Sequence, residues 1–600
     1  MTSPTFLGRV GSVAGSTVSV RQAESVASGI AIIEGRSYRV AQVGSFVRIP
    51  QGYHNLYGLI SEVGAQATPE TLVDASQRGE SWMTVQLVGE IVETSFERGI
   101  SQYPGINDEV HLVTEDDLGK IYGVGDEGQI TIGRLAGAES IPVRIDLDRL
   151  VTRHSAVLGS TGSGKSTTIS SLLRSICQSG EGRRCGNARI LLLDIHGEYG
   201  DGLRSAAQVF RVNPSDGEQP LHVPYWALDT LTLLDFLMGP MSEAAMTGVL
   251  DRIQAAKSSG ANGVAGVDVN ALMINTPLPF SLKQLWADLV DPEYKTWADK
   301  ERTTPALEEA GDAHSLKLPK YSAPGQGSAL PDINQTGVLG IKRQLTQMRS
   351  RLLDRQYDFM LHPGKWEPEL SGKSQMDLPQ LLEAWFGHDK PITVLDLSGV
   401  PSQVLVRLIG GILNITYEAM FWGRNLPEGG RNRPQLVVME EAHRYLGRDA
   451  NNPARDMVQR IVKEGRKFGV GAMLVSQRPS EIDETILSQC GTQFALRLSN
   501  NADQGKVKAA LPDSLSGLVD TLPVLRTGEA IIMGEAARLP IRCRINLPPE
   551  DERPSSADPK VSEAWAKAKE KEDYERLAAA WRSQNPKWGQ NISVKAQEDG

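Results

Sequence analysis

The chain has 600 residues, 40% hydrophobic and 23% charged, the balance of a globular protein with two to four domains. A net charge of −10 argues against a protein that simply coats nucleic acid, and no run approaches the ~18 apolar residues of a membrane span. Four dispersed cysteines (Cys177, Cys185, Cys490, Cys543) and an N-terminus without a basic-then-apolar leader argue against a disulfide framework, a zinc site and a signal peptide, so a reduced, cytoplasmic protein with no membrane partner is expected.

Residues 1–140 read as all-β. Short β-branched runs (Ser16 to Val20, Ile30 to Ile33, Ser37 to Val43, Ser45 to Ile49, Met83 to Val92, Glu109 to Val113, Gln129 to Ile132) alternate with glycine, asparagine and aspartate, the pattern of a small barrel or sandwich. No catalytic constellation stands out there. His54 and the Glu93/Glu97 pair read as ordinary surface or core residues, and a barrel ahead of a catalytic core suits assembly or docking.

A core begins near Ile141 and its first part extends to residue 220. Gly159, Gly164, Lys165 and Ser166 complete the phosphate-loop pattern G-x-x-x-x-G-K-[S/T], with Gly162 as an additional glycine. Glycines let successive backbone N–H groups converge on one anion, the lysine reaches the β/γ-phosphates, and the Ser166 hydroxyl is a Mg²⁺ ligand. The candidate nucleotide-binding residues are Gly159, Ser160, Thr161, Gly162, Ser163, Gly164, Lys165, Ser166 and Thr167. The apolar run Ala156 to Leu158 precedes the loop, and Thr167 to Ile176 can continue as a helix whose N-terminus faces the phosphates. After a basic turn (Glu181 to Asn187), Ile190 to Leu193 reads as a strand buried on both faces. It delivers Asp194, His196 and Glu198 to its carboxyl end, the ligand-binding edge of an open parallel sheet.

Residues 221–390 read as a helical insertion. Helical spacing is clear over Leu228 to Met238 and Glu243 to Ala256, whereas Glu308 to Pro331 is loop-like. Gly337 to Leu361 is expected as one long amphipathic helix whose Lys342, Arg343, Arg349, Arg351 and Arg355 suit either DNA, a neighbouring subunit or plain solvent. The core resumes over 391–548. Gln435-Leu-Val-Val-Met runs into Glu440 and Glu441: Glu440 is placed to hold the Mg²⁺ shell, and Glu441 to polarise the attacking water. A helix from Ala454 to Phe468 ends K-E-G-R-K-F-G, and the strand Val470 to Val475 closes on Gln477, which suits either orientation of water beside a γ-phosphate or simple capping. Residues 549–600 form a charged, alanine-rich tail with a helix over Ser562 to Arg582.

The set R-H-S-A-V-L-G-S-T-G-S-G-K-S-T-T, D-I-H-G-E-Y, V-V-M-E-E-A-H-R-Y, K-E-G-R-K-F-G and S-Q-R-P-S resembles the HerA family, relatives of the FtsK DNA pumps. The resemblance covers the core and extends to the β region, and it implies an α/β fold: a RecA-like P-loop ATPase core with a helical insertion, preceded by a small N-terminal β-barrel. It further implies a homohexameric ring that hydrolyses ATP with Mg²⁺ between subunits and moves double-stranded DNA. Carried onto this chain, Lys165 and Ser166 bind nucleotide and metal, Glu441 is the catalytic carboxylate and Gln477 senses the γ-phosphate. Arg466 is the candidate arginine finger entering a neighbour's site, and Arg153, Glu198, Arg526 and Arg542 are secondary candidates for the same interface. The family supplies a NurA-like nuclease in end resection. Its antiphage relatives regulate a nuclease or a sirtuin-like NADase, which makes an effector-controlling ring the alternative. A protein-handling role like that of conjugative secretion ATPases fits less well.

Overall fold

A computed structural model describes residues 3–583 except 24–29, 34–35, 41, 65–80, 93–94, 123–127, 179–186, 262–263, 324–329, 332–337, 450, 510–515, 556–560 and 567–573. Cys185, Glu93, most of the basic turn after the phosphate-loop helix and the end of the tail lie outside those residues.

The N-terminal β region closes on itself. Strands Phe6–Ala14, Thr17–Gln22, Phe46–Gln51, His54–Gly64, Trp82–Val92 and Glu109–Leu112 are all antiparallel, and the pairing of Thr17–Gln22 with Trp82–Val92 seals the barrel. Closure removes the free edges. Alternation decides what fills it: Val18 and Val20 point inward with Leu7, Val10, Val47 and Ile49, while the residues between them are less buried. Phe46, Tyr57 and Ile91 instead join the large core, so the barrel sits against the rest of the chain.

The rest is built on a twelve-stranded sheet. Its parallel members run Thr492–Ala495, Ser155–Leu158, Val470–Ser476, Gln435–Met439, Arg189–Asp194, Ile392–Asp396, Ala207–Arg211 and the short Gln219–Pro220 in spatial order, the arrangement of a RecA-like P-loop core. Apart from Arg189 at the start of its strand, the central strands are buried along their length, as strands of a parallel sheet covered on both faces are, and this explains their uninterrupted apolar runs. Beyond Thr492–Ala495 the sheet continues antiparallel through Glu529–Gly534 and Ile541–Ile545 into Gln129–Leu135 and Ala138–Asp146. The run Gln129 to Ile132, which the sequence groups with the barrel, is thus a member of the large sheet. Its alternation fits either sheet equally, and only its pairing with Ile541–Ile545 assigns it.

The helix Ser402–Trp422 has a mean hydropathy of 1.4 over its most apolar window, long and apolar enough to span a bilayer, yet 67% of that window is buried within the protein. It is a core helix. In the 221–390 region, helices Thr230–Met238, Glu243–Gly260 and Leu282–Tyr294 start on the side-chain caps Asp229, Ser242 and Ser281. The expected helix from Gly337 to Leu361 is shorter: Lys342–Leu353 stops where Asp354 turns its carboxylate onto the Gln356 N–H and starts a 3₁₀ turn. Much of its basic face is used internally. Lys342 lies over the Tyr294 ring, Arg349 donates to the Leu316 carbonyl at 2.7 Å, and Arg351 donates to the Tyr357 hydroxyl at 2.6 Å. In the tail, helices Val561–Ala566 and Tyr574–Ser583 flank residues outside the described set.

Candidate nucleotide site

The site forms where the parallel strands end. Ser155–Leu158 runs into the phosphate loop, and the helix Lys165–Cys177 begins directly after Gly164. Gly164 sits at φ 93°, a left-handed conformation, and a Cβ there would come within 3.1 Å of the Gly528 nitrogen. Gly159 is required for a different reason: a Cβ would lie 2.6 Å from Ser163 Oγ and 2.8 Å from Leu496 Cβ. The loop is fastened from outside as well. Ser160 N–H and Oγ both donate to the Arg497 carbonyl at 2.9 Å, Arg497 returns a bond to the Gly162 carbonyl at 3.1 Å, and Gly528 N–H donates to Ser163 O at 3.1 Å. Arg497 escapes sequence reasoning because it follows a short strand more than three hundred residues away, with no motif around it.

Lys165 is buried at the first turn of the helix. Desolvation lowers its pKa, while the carboxylates of Glu441, Glu440 and Glu198 oppose that shift. Ser166 Oγ donates to Glu198 Oε2 at 2.8 Å, which brings Glu198 to the phosphate loop. Glu440 is 3% exposed and burial, reinforced by Asp194, raises its pKa strongly; its Oε2 has no hydrogen-bond partner. Asp194, fully buried, is raised by burial and by Asp396 on the adjacent strand, although the N–H groups of His196, Gly197 and Tyr199 converge on it. Asp396 in turn accepts from Arg211 Nε at 2.5 Å. The acidic row Glu440, Asp194, Asp396 therefore ends on a guanidinium.

Glu441 and Gln477 are joined. Gln477 Nε2 donates to Glu441 Oε1, and its own Oε1 accepts from Thr161 Oγ1 at 2.5 Å, so one amide connects the glutamate to the phosphate loop. Glu441 has φ 44°, a left-handed conformation that costs a non-glycine residue roughly 1–2 kcal/mol. Its carboxylate is held by Gln477 and lies 3.2 Å from His443 Nδ1. Strain of this kind, maintained by surrounding bonds, is how a side chain is aimed.

The oxygen donors fit a nucleotide-bound Mg²⁺: a serine hydroxyl at the helix N-terminus, and a buried carboxylate with an unoccupied oxygen. Among the described residues no group of three or more His, Cys, Asp or Glu is placed to hold a metal ion by itself.

Arg466 is not in this assembly. It lies in the 3₁₀ turn Gly465–Phe468, exposed, at the amino end of the strand Val470–Ser476 whose carboxyl end leads to Gln477. Seven strand residues separate the two ends, roughly 20 Å or more. Arg153 is 3.5 Å from Glu535, Arg526 is 3.9 Å from Glu529, and Arg542 donates to Glu529 at 2.7 Å, so these three are engaged within the chain.

Two family models match in tandem: "Helicase HerA, central domain" over residues 130–415 and "Helicase HerA-like C-terminal" over residues 419–539, together well over half of the chain. The chain belongs to the HerA family. With its phosphate loop, paired glutamates and parallel sheet, this HerA-family protein is a P-loop ATPase of the helicase class. It is 26% identical over 477 residues to the DNA double-strand break repair helicase HerA of Sulfolobus acidocaldarius, covering 79% of each chain. The enzyme of the same name from Pyrococcus furiosus is 26% identical over 451 residues, covering 73% of this chain and 72% of that one. Among solved structures, VirB4 of Thermoanaerobacter pseudethanolicus aligns with 71% of this chain and 99% of its own, at 15% identity and a TM-score of 0.45.

Proposed function

We propose that this HerA-family chain is an ATP-driven translocase of double-stranded DNA that works as a homohexameric ring and powers a partner effector. The observation that carries the catalytic half is the bonded set Thr161–Gln477–Glu441 beside buried Lys165. A triphosphate on the loop N–H groups would have its γ-phosphate next to that set, with Lys165 neutralising charge. Mg²⁺ at Ser166 and Glu440 would supply electrophilic stabilisation of the phosphoryl oxygens. Glu441 would then accept a proton from the attacking water while Gln477 orients it. Its strained backbone already aims the carboxylate, so little reorganisation is needed at the moment of reaction.

Arg466 completes the site from a neighbouring copy. Too far from its own phosphate loop, it has no ion-pair or hydrogen-bond partner for its side chain among the described residues. The names of the relatives favour DNA as the track. The effector is a nuclease in this reading. Control of an antiphage effector, a nuclease or an NADase, uses the same ring, and no specific feature of the chain favours it.

The test is ATP turnover with and without duplex DNA, for the wild type and for Lys165→Ala and Glu441→Gln. Stimulation by duplex DNA that both substitutions abolish is the expected result. Mixtures of Arg466→Ala with Glu441→Gln subunits should recover activity above either parent; turnover that ignores duplex DNA, or mixtures that never exceed the parents, would remove the translocase or the shared site respectively.

A further inference from the structure

The turn Asp194-Ile-His-Gly-Glu-Tyr leaves the carboxyl end of the strand Arg189–Asp194 and is held along its whole length. Asp194 gathers the N–H groups of His196, Gly197 and Tyr199 at 3.2, 2.7 and 3.0 Å. Gly197 sits at φ 74°, and a Cβ there would lie 3.0 Å from Asp396 Oδ2, so the turn calls for glycine. Beyond it, Leu203 N–H donates to the Tyr199 carbonyl at 3.0 Å and Ser555 N–H to the Glu198 carbonyl at 2.9 Å. Glu198 is thereby aimed at Ser166, and Tyr199 is turned inward, 1% exposed.

The Tyr199 side chain has no part in the nucleotide site as described above. Its hydroxyl lies beside Ser166 and faces the carboxyl groups of Glu440, Asp194 and Glu198. Burial and those carboxyl groups hold its pKa well above the ordinary tyrosine value, so the group is a neutral hydroxyl. It comes close to Ser166 without reaching hydrogen-bond geometry, and it has no hydrogen-bond partner among the described residues. Glu440 Oε2 is the second buried oxygen here in the same condition. Protein interiors seldom leave such atoms unpaired, because each gives up its bonds to water for nothing. The tyrosine hydroxyl thus adjoins both side chains that suit Mg²⁺, the Ser166 hydroxyl and the Glu440 carboxylate.

We propose that Tyr199 is a positioning residue for the nucleotide's Mg²⁺: its phenolic oxygen accepts a hydrogen bond from a water that the cation retains. This rests on the reading of Ser166 and Glu440 as metal ligands. Mg²⁺ takes few protein oxygens and gives up its waters reluctantly, so those waters need acceptors around the site. Another carboxylate would add negative charge where Glu440, Asp194 and Glu198 already crowd, whereas a neutral hydroxyl accepts without adding any. Glu198, on the same turn, is already engaged by Ser166 at 2.8 Å, and Asp194 by three N–H groups. Tyr199 is the neighbour with its bonding capacity still free. Groups that hold a metal's ligands from behind tune its affinity nearly as strongly as the ligands themselves.

The test is Tyr199→Phe in the full-length chain, with Ser166→Ala beside it. Electron paramagnetic resonance reads the affinity for Mn²⁺, the probe cation, in the presence of the non-hydrolysable nucleotide AMP-PNP. Titration with a fluorescent ATP analogue in EDTA reads nucleotide affinity without metal. Tyr199→Phe should weaken Mn²⁺ binding about 10–100-fold and leave metal-free nucleotide affinity unchanged. Its thermal midpoint in EDTA should be no lower than that of the wild type, since removing an unpartnered hydroxyl breaks no bond. Unchanged Mn²⁺ affinity overturns the proposal, and so does an equal loss of nucleotide affinity in EDTA, which would make the hydroxyl a nucleotide contact. A lower midpoint in EDTA, or a variant that does not fold, overturns it too, by showing that the hydroxyl has a partner within the chain. Ser166→Ala separates the proposal from the reading beneath it. If that variant binds Mn²⁺ like the wild type, the metal assignment fails and the role of Tyr199 with it. If Ser166→Ala loses Mn²⁺ and Tyr199→Phe does not, the assignment stands and the role of Tyr199 alone is rejected.

Discussion

At the carboxyl edge of the central sheet, Glu440, Asp194 and Asp396 are buried in a row ending on Arg211, and Glu441 is held by Gln477. At the amino edge Lys463, Arg466 and Lys467 stand exposed, with no partner among the described residues, beside an aromatic platform. One edge gathers buried carboxyl groups around a lysine, and the other carries exposed cations. Strand length keeps the two edges apart within a chain. The N-terminal barrel has neither character, being closed and filled with aliphatic side chains.

The largest effect expected from this contrast is at Arg466. Arg466→Ala should lower ATP turnover about 10³-fold or more while single-chain nucleotide affinity stays within roughly twofold, as read by steady-state kinetics against fluorescent-nucleotide titration. A matching loss of affinity in unassembled chains would place the arginine in its own site and break the comparison. Next comes Glu441→Gln, expected to cost about 10²–10⁴ in turnover with nucleotide binding retained. If binding is lost instead, the glutamate supports the loop and does not act on water.

A smaller effect is expected for Gly164→Ala. Its φ of 93° costs a side-chain-bearing residue roughly 1–2 kcal/mol, so nucleotide affinity should fall about five- to thirtyfold through distortion of the loop, measured by calorimetric titration. Unchanged affinity would mean that the loop reaches its conformation only on binding. The smallest effect lies away from both edges, at His362, whose Nδ1 is 2.9 Å from Glu367 and whose Nε2 is 2.9 Å from the Leu352 carbonyl. The hydrogen bond to Glu367 raises its folded-state pKa above the ordinary histidine value of about 6.5. Its stabilisation is therefore complete below about pH 6.5 and is lost as pH rises through the raised value. The gap in thermal midpoint between the wild type and His362→Gln should be wider at pH 5.5 than at pH 8.5; equal gaps would show that the ring stays neutral throughout.

The phosphate loop was legible because its chemistry is local: three glycines, a lysine and a serine within eight residues build a nest wherever a strand and a helix flank them. Glu440, Glu441 and Gln477 were legible because a buried strand announces itself as an apolar run, and polar residues at its end are exceptional. Arg211 and Arg497 were not, since their partners Asp396 and Gly162 are far away in sequence and no pattern marks the pairing. The basic helix misled in the same way. Its charges were countable, but Arg349 and Arg351 point to Leu316 and Tyr357, which a helical wheel does not contain.

Sequence alone determined that this chain has a triphosphate loop, a glutamate pair and a glutamine at three strand ends, since each depends on neighbours a few residues away. Tertiary structure decided that those three ends are adjacent, that Glu198 reaches Ser166, that Gln129–Leu135 belongs to the large sheet, and that Arg466 faces away from all of them. The reason is strand order: the register of parallel neighbours depends on contacts hundreds of residues apart, and it alone sets which side chains share an edge.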